Sequence, residues 1–187
     1  IRVGEIDGTT DWTEALAGVD VIAHLAARAH VLADSGAELT DFHRTNVDGT
    51  RRLAHEAARA GVRRVVLVSS IGVNGQTTIG RTPFAPDDTP APATAYARSK
   101  LAAEQVLWEV ADARGLEGVV VRPPLVHGPG AIGNFGRLVG LVQSGLPLPL
   151  GAVRNARALV GVDNLTALLR RTLDAPAAVG GTFLVAD

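Results

Sequence analysis

The sequence contains no cysteine and no methionine, and it has a single tyrosine, Tyr96, and a single lysine, Lys100. Without cysteine there is no disulfide framework, no thiolate metal site and no cysteine nucleophile. No apolar run reaches the roughly 18 residues that a membrane-spanning helix requires. The first residues, from Ile1, lack the apolar core of a signal peptide. We therefore expect a cytoplasmic protein that does not bind membranes.

The lack of methionine also means that Ile1 is not a translation start. The last residues form an apolar run that ends at Asp187 with no closing element. We expect the chain to be a piece of a longer protein, and the alternative is a complete domain left by processing.

Neither the net charge nor the distribution of charges indicates a nucleic-acid or membrane partner. The 18 Lys and Arg residues nearly balance the 19 Asp and Glu residues, for a formal net charge of −1. The arginines are scattered, so no basic patch indicates nucleic acid. The hydrophobic fraction of 47% is enough for one core of domain size.

What the sequence does contain is an alternation of apolar runs and helical patterns. Predicted strands lie at residues 19–25, 64–69, 119–121, 159–160 and 182–185, and predicted helices at 38–60, 95–113, 132–143 and 164–173. A connection of about 25 residues, rich in Gly and Pro, follows the second strand, and such long loops are often functional. The alternation predicts an α/β fold with a parallel sheet covered on both faces.

Ligands of such sheets bind at the carboxyl ends of the strands. This rule selects three places in the chain: residues 25–27 after the first strand, Ser69 and Ser70 after the second, and Arg122 and Pro123 after the third.

The single tyrosine and the single lysine are four residues apart within a predicted helix, so they share one helix face. The other 17 basic residues are arginine, and chance would give this spacing roughly once in two hundred tries. An ammonium beside a phenol favours the phenolate and lowers its pKa toward neutrality. The pair predicts a Tyr96 general acid/base activated by Lys100, and the alternative is a surface contact on a helix.

Ser70 supplies a third candidate, because a hydroxyl at the end of a buried strand is placed to bond a substrate oxygen. A pair of serines after a strand is also ordinary turn chemistry.

Six segments of the chain resemble known motifs. They are 19–27 ("DxVxHLAA"), 45–50 ("NVxGT"), 68–75 ("SSxxVYG"), 96–100 ("YxxSK"), 122–130 ("RPxNVYGPG") and 157–165 ("RDFVYVDD"). Together, in this order and spacing over nearly the whole chain, they resemble the extended short-chain dehydrogenases/reductases, the NAD-dependent epimerase/dehydratase family.

The resemblance implies a Rossmann-like, doubly wound parallel sheet whose first βαβ unit and Gly-rich pyrophosphate turn are missing here. It implies a partial dinucleotide-binding domain over residues 1–130. Residues 131–187 would form part of a smaller substrate-binding region, with some strands returning to the main sheet. The cofactor would be NAD or NADP.

The family's roles carry over to matching positions. Tyr96, Lys100 and Ser70 would be catalytic. The dinucleotide would contact Leu25, Ala26, Ala27, Asn46, Ser69, Tyr96, Lys100 and Pro123. The substrate would contact Ser70, Asn134 and Arg157.

Structural alternatives stand beside some of these roles. His24 is interpreted as a packed strand residue and not as a catalyst. Asn46 is alternatively an ordinary helix residue that bends the chain, and Arg157 a solvated arginine.

The implied reaction moves a hydride between the nicotinamide and C4 of a UDP-linked hexose, either as a 4-epimerase or as a 4-reductase of UDP-4-keto-6-deoxy-N-acetylhexosamines. The alternatives are a reductase of non-nucleotide ketones and a non-catalytic dinucleotide-binding fragment. Homodimerisation through the helices that contain Asn46 and Tyr96 is a further implication. Asn74, Leu125 and His127 depart from the family pattern on the expected substrate side, which leaves the sugar open.

Overall fold

The computed structural model describes residues 1–29, 40–130, 134–145 and 156–187. Its main sheet has four parallel strands in the order β1-β2-β3-β6. These strands are β1 (Val21–His24), β2 (Arg64–Val68), β3 (Glu117–Arg122) and β6 (Thr182–Leu184). A second parallel pair joins β4 (Leu125–His127) to β5 (Leu159–Gly161).

Four helices accompany the strands in the described part of the chain. Helix α1 covers residues 40–59 and contains a π-helical segment, His43–Asp48, that continues into the α-helical segment Gly49–Arg59. The others are α2 (Ala95–Arg114), α3 (Asn134–Gln143) and α4 (Val162–Asp174). Short 3-10 turns lie at Ile71–Val73 and Pro176–Ala178.

Helix α2 has clear local signals at both ends. The Thr94 hydroxyl caps its first turn by accepting a hydrogen bond of 3.1 Å from the Ala97 amide. Gly115 ends it in the left-handed conformation, with φ of +68°, which glycine adopts without steric cost. These signals fix where Tyr96 and Lys100 lie along the helix.

The sheet is covered on both faces. Val65, Leu67 and Val120 face the layer formed by α1 and α2. Val66, Val119 and Val121 point to the other face, where Leu165 and Leu169 of α4 pack against them. Alternation along each strand supplies both layers, and the predicted doubly wound α/β fold is confirmed for the described part of the chain.

A buried arginine ties α4 to the sheet. Arg64, at the start of β2, is 1% exposed. Its Nη1 donates to the carbonyl oxygens of Thr172, Leu173 and Ala175 at 2.8, 3.0 and 3.0 Å, while its Nε donates to Glu117 at 2.7 Å. These carbonyls belong to the end of α4 and have no partner within the helix, so Arg64 serves as its C-terminal cap.

Several features differ from the sequence prediction. The sequence predicts no strand where β4 lies. Strand β1 begins two residues later than predicted and ends one earlier. Strand β3 begins two residues earlier than predicted and ends one later, at Arg122. The π-helical segment of α1 was not anticipated. The division into two domains at residue 130 stays a prediction. Among the described residues, no helix is long and apolar enough to cross a membrane.

Candidate active site

The carboxyl ends of β1, β2 and β3 lie side by side, because these strands are neighbours in the sheet. Leu25, directly after β1, is 60% exposed, and Ala26 beside it is exposed too. Ser69 follows β2 and Pro123 follows β3, and both are buried. The carbonyl of Pro123 accepts a hydrogen bond of 3.0 Å from the Ile71 amide, which joins the ends of β2 and β3.

Helix α2 brings Tyr96 and Lys100 to this edge. The Tyr96 ring is half-buried and meets the Phe42 ring edge-on, with centroids 6.1 Å apart. Lys100, one turn further, is 2% exposed. Burial lowers the pKa of Lys100 to about 8, and the Glu104 carboxylate opposes that shift. Lys100 is therefore mostly charged at neutral pH although it is buried.

The Tyr96 pKa moves in the opposite direction to the one predicted from the Tyr-Lys spacing. Burial raises the pKa of Tyr96 above its ordinary value in the chain alone. The physical reason is that the loss of solvent disfavours the phenolate. The i,i+4 placement is confirmed, and the predicted lowering by Lys100 is not.

Ser70 begins a turn that packs against the start of α2. Its hydroxyl accepts a hydrogen bond of 3.1 Å from the Gly72 amide, so it caps the 3-10 turn Ile71–Val73. A Cβ atom on Gly72 would lie only 3.3 Å from the Cβ of Ala97, which neighbours Tyr96. The close approach that glycine allows here brings the turn after Ser70 to the first turn of α2.

Asn46 links three elements around the same edge. It is 1% exposed and lies in the π-helical segment of α1. Its Oδ1 accepts from the Arg28 amide at 2.8 Å, and its Nδ2 donates to the Arg28 carbonyl at 3.1 Å and to Ser99 Oγ at 2.9 Å. Asn46 therefore fixes the chain after β1 relative to α2, which is more than an ordinary helix residue does.

His24 is a packed strand residue, as predicted. It is buried, and its Nε2 lies 3.1 Å from the Thr50 hydroxyl. Burial, with a smaller effect of the Lys100 charge, lowers the pKa of His24 to about 4. The imidazole is therefore neutral at neutral pH.

A buried polar network lies behind the candidate pair, and sequence reasoning missed it. Glu104, on α2, receives two hydrogen bonds from Arg122, Nε to Oε1 at 3.0 Å and Nη2 to Oε2 at 2.7 Å. The Ser69 hydroxyl also donates to Glu104. The available signal was the repeated spacing of four from Tyr96 through Lys100 to Glu104.

Asn74 belongs to the same network. It is 1% exposed; its Oδ1 accepts from Arg122 Nη1 at 3.0 Å and its Nδ2 donates to the Ala85 carbonyl at 2.8 Å. Both ends of the Asn74 amide therefore have partners within the chain, and the expectation that Asn74 adjoins the substrate stays a prediction.

The remaining candidates are Leu125, His127, Asn134 and Arg157. Leu125 is 42% exposed, and His127 Nε2 lies 3.3 Å from the Asp187 carboxylate. Asn134 begins α3, but its side chain lies outside the described part of the structure. Arg157 is exposed just before β5 and has no hydrogen bond or ion pair with any described residue. The assignment of Asn134 and Arg157 to the substrate stays a prediction.

The residues at the carboxyl edge suit a dinucleotide. No group of three or more His, Asp or Glu residues in the described ranges could hold a metal ion. At the carboxyl edge, Leu25 and Ala26 are exposed apolar residues, and the buried ammonium of Lys100 on α2 is close enough to the end of β1 to affect the pKa of His24. An apolar surface with few polar groups suits a nicotinamide and its ribose.

Comparisons with known proteins agree with this geometry. The sequence profile of the "NAD dependent epimerase/dehydratase family" matches residues 1–186. A UDP-glucose 4-epimerase of Vibrio cholerae is 42% identical over 188 residues, which cover 100% of this chain and 57% of that protein.

Two solved structures are similar in fold. MoeE5 in complex with UDP-glucose and NAD has a TM-score of 0.84 at 29% identity, covering 100% of this chain and 62% of that one. A double mutant of DesIV, a dTDP-glucose 4,6-dehydratase from Streptomyces venezuelae with NAD and DAU bound, has a TM-score of 0.78 at 30% identity, covering 92% and 53%. The chain thus spans little more than half of these proteins, and it belongs to the NAD-dependent epimerase/dehydratase family.

Proposed function

We propose that the protein is an NAD-dependent epimerase acting at C4 of a UDP-linked hexose. The observation that carries this proposal is the half-buried Tyr96 one helical turn from the buried Lys100, with the turn that follows Ser70 packed against Ala97 of the same helix. The Vibrio relative, a UDP-glucose 4-epimerase, and the UDP-glucose and NAD held by MoeE5 support the choice of substrate and cofactor.

NAD supplies the hydride acceptor when it is bound. Side chains of the protein transfer the proton and orient the sugar. Tyr96 takes the proton from the sugar hydroxyl and returns it. Lys100, whose pKa of about 8 keeps it mostly charged at neutral pH, offsets the burial that disfavours the Tyr96 phenolate. The Ser70 hydroxyl bonds the same sugar oxygen and orients it.

The dinucleotide is assigned to the carboxyl edge. Leu25, Ala26 and Ala27 line it, Pro123 closes the nicotinamide end, and Lys100 bonds ribose hydroxyls. Two further residues, Asn46 and Ser69, support this surface through their bonds to Arg28 and Glu104.

Assembly and substrate contacts are also part of the proposal. Helices α1 and α2 lie side by side on one face, joined at their outer surface by the Arg51–Glu109 ion pair at 3.0 Å. Their exposed sides provide the surface for a homodimer. Contacts of Asn134 and Arg157 with the UDP moiety, and a cytoplasmic location, stay predictions from the sequence.

Tyr96→Phe tests the proposal. We expect turnover of UDP-glucose to UDP-galactose to fall by about 10²–10⁴-fold, the usual contribution of a general acid/base. Dinucleotide affinity should stay nearly unchanged, as measured by NADH fluorescence titration. Trp108→Phe, further along the same helix, is the matched control and should keep its activity.

Near-normal turnover of Tyr96→Phe would refute the catalytic assignment. Stoichiometric consumption of added NAD(P)H with a 4-keto sugar would instead identify a 4-reductase. Failure of UDP to compete would favour a reductase of non-nucleotide ketones.

A further inference from the structure

We propose that Glu104 is a positioning residue that holds Ser70 in place and keeps Lys100 charged. This inference rests on the proposed function, since it assigns a role to a residue behind the same site. Glu104 contributes one buried carboxylate that three different elements share: α2, which carries it, the end of β2 and the end of β3.

Both carboxylate oxygens of Glu104 accept hydrogen bonds. Arg122 approaches both oxygens in a two-pronged arrangement, at 3.0 and 2.7 Å. The Ser69 hydroxyl donates to the same Oε1 atom, and the Ser69 amide donates to the Val121 carbonyl at 2.7 Å. With both its hydroxyl and its amide bonded, Ser69 leaves little freedom for Ser70, the next residue along the chain.

The network continues beyond Arg122 into the long connection after β2. Arg122 Nη1 donates to Asn74 Oδ1 at 3.0 Å and reaches the Pro86 carbonyl at 3.5 Å. Asn74 in turn donates to the Ala85 carbonyl at 2.8 Å. Ser69 and Asn74 therefore hold the segment 70–73 at its two ends. Ser69 is bonded to Glu104, and Asn74 is bonded to Arg122.

The second part of the role is electrostatic. Among the described residues, Tyr96 and Glu104 lie one turn to either side of Lys100 on α2, and His24 on β1 is affected by its charge. His24 is neutral at neutral pH, and the Arg122 charge is directed into its pair with Glu104. The Glu104 carboxylate is therefore the group that opposes the effect of burial and raises the pKa of Lys100.

Stability alone gives a weak reason for this pair. Buried ion pairs can often be replaced by apolar residues of similar volume with little loss or even a gain of stability, because the desolvation of two charges offsets their attraction. Glu104 and Arg122 are 2% and 5% exposed, so the desolvation cost applies to both. A role toward Ser70 and Lys100 accounts for keeping the charges.

The decisive variant is Glu104→Gln, which removes the negative charge and keeps a polar side chain of the same size beside Ser69 and Arg122. The double substitution Glu104→Leu/Arg122→Met is the second variant; it removes both charges but leaves the Ser69 hydroxyl and Asn74 Oδ1 without these partners. Glu109→Gln, an exposed glutamate on the same helix, is the matched control. Because Lys100 is the only lysine in the chain, the NMR signal of 13C-labelled lysine reports its titration without ambiguity. This readout does not depend on turnover.

We expect the Lys100 titration midpoint to fall by about one pH unit or more in Glu104→Gln and to stay unchanged in Glu109→Gln. The double variant loses the Arg122 cation together with the Glu104 anion, so its titration should shift less than that of Glu104→Gln. In Glu104→Gln the alkaline limb of the kcat/KM profile should move to lower pH, and kcat/KM should fall by about tenfold or more. A folded Glu104→Gln variant with the parental Lys100 titration and parental kcat/KM would overturn the inference, because Glu104 would then serve only to neutralise Arg122.

The two proposals fail in different ways. If the parent protein turns over no UDP-sugar, the proposed function fails, yet the lysine titration still decides the charge role of Glu104. If the parent is active and the titration does not respond, only the role of Glu104 fails.

Discussion

Lys100 carries its charge at a cost to the stability of the fold, and the substitution Lys100→Met measures that cost. Methionine keeps the unbranched chain and removes the buried ammonium, while Glu104 keeps its partner Arg122. The pKa of Lys100 drops from 10.5 to about 8 on folding. At about 1.36 kcal/mol per pKa unit, the difference corresponds to roughly 3 kcal/mol.

The sign of the effect follows from proton binding. Between pH 8 and 10.5 the unfolded chain holds the Lys100 proton and the folded chain has largely lost it, so the stability of the parent rises with pH in this window. Below pH 8 the folded protein bears the full cost of the buried charge. Lys100→Met should therefore be more stable than the parent by up to about 3 kcal/mol at pH 7, and the gain should shrink as the pH rises above 8.

Urea unfolding at pH 7.0, 8.0, 9.0 and 9.5 is the assay, with turnover measured in parallel. We expect the variant to gain stability and to lose catalytic activity. Arg98→Met, which removes an exposed charge from the same helix, should show no pH-dependent gain. A loss of stability in Lys100→Met at pH 7, or a gain that does not depend on pH, would refute the reasoning.

Two further predictions concern His24 and Arg64. The pKa of His24 falls from 6.5 to about 4 on folding. As the pH drops, the unfolded chain therefore binds a proton before the folded chain does. The free energy of unfolding decreases through this window, by about 2 kcal/mol at pH 5. In His24→Gln the urea midpoint should fall less between pH 7 and 5 than in the parent and in a His55→Gln control; equal losses would contradict the buried, neutral imidazole. Arg64→Met leaves three carbonyl groups at the end of α4 without their donor and should cost about 3 kcal/mol or more in urea unfolding. Arg63→Met, which removes an exposed partner of the same Glu117, should cost less than about 1 kcal/mol, and similar losses in the two variants would show that the cap contributes little.

The parts of the fold that the sequence predicts are those set by local pattern. Strands β1, β2 and β3 are apolar runs, and the ends of α2 follow from Thr94 and Gly115. Strand β4 was missed because Leu125–His127 is three residues long, follows two prolines and is defined by its pairing with β5. A strand of this kind depends on a partner more than thirty residues away and has no periodicity of its own.

The candidate site also has features that the sequence predicts and features that it does not. The spacing of Tyr96 and Lys100 is visible along the chain, and the structure confirms that both lie on α2 at the predicted edge. Glu104 escaped notice because a glutamate in a helix is usually exposed, and its burial depends on Arg122 from another element. The direction of the Tyr96 pKa also depends on burial, which spacing alone does not determine.

The π-helical segment His43–Asp48 has a consequence for how this sequence tolerates changes in length. A π turn holds one residue more than an α turn, so deleting a single residue there would leave α1 free to continue as a regular helix. Asn46, however, would be rotated away from Arg28 and Ser99 by about a quarter of a turn. Such a deletion would preserve the helix but break the link between α2 and the chain after β1. The register of this segment therefore constrains the site as strictly as the identity of its residues.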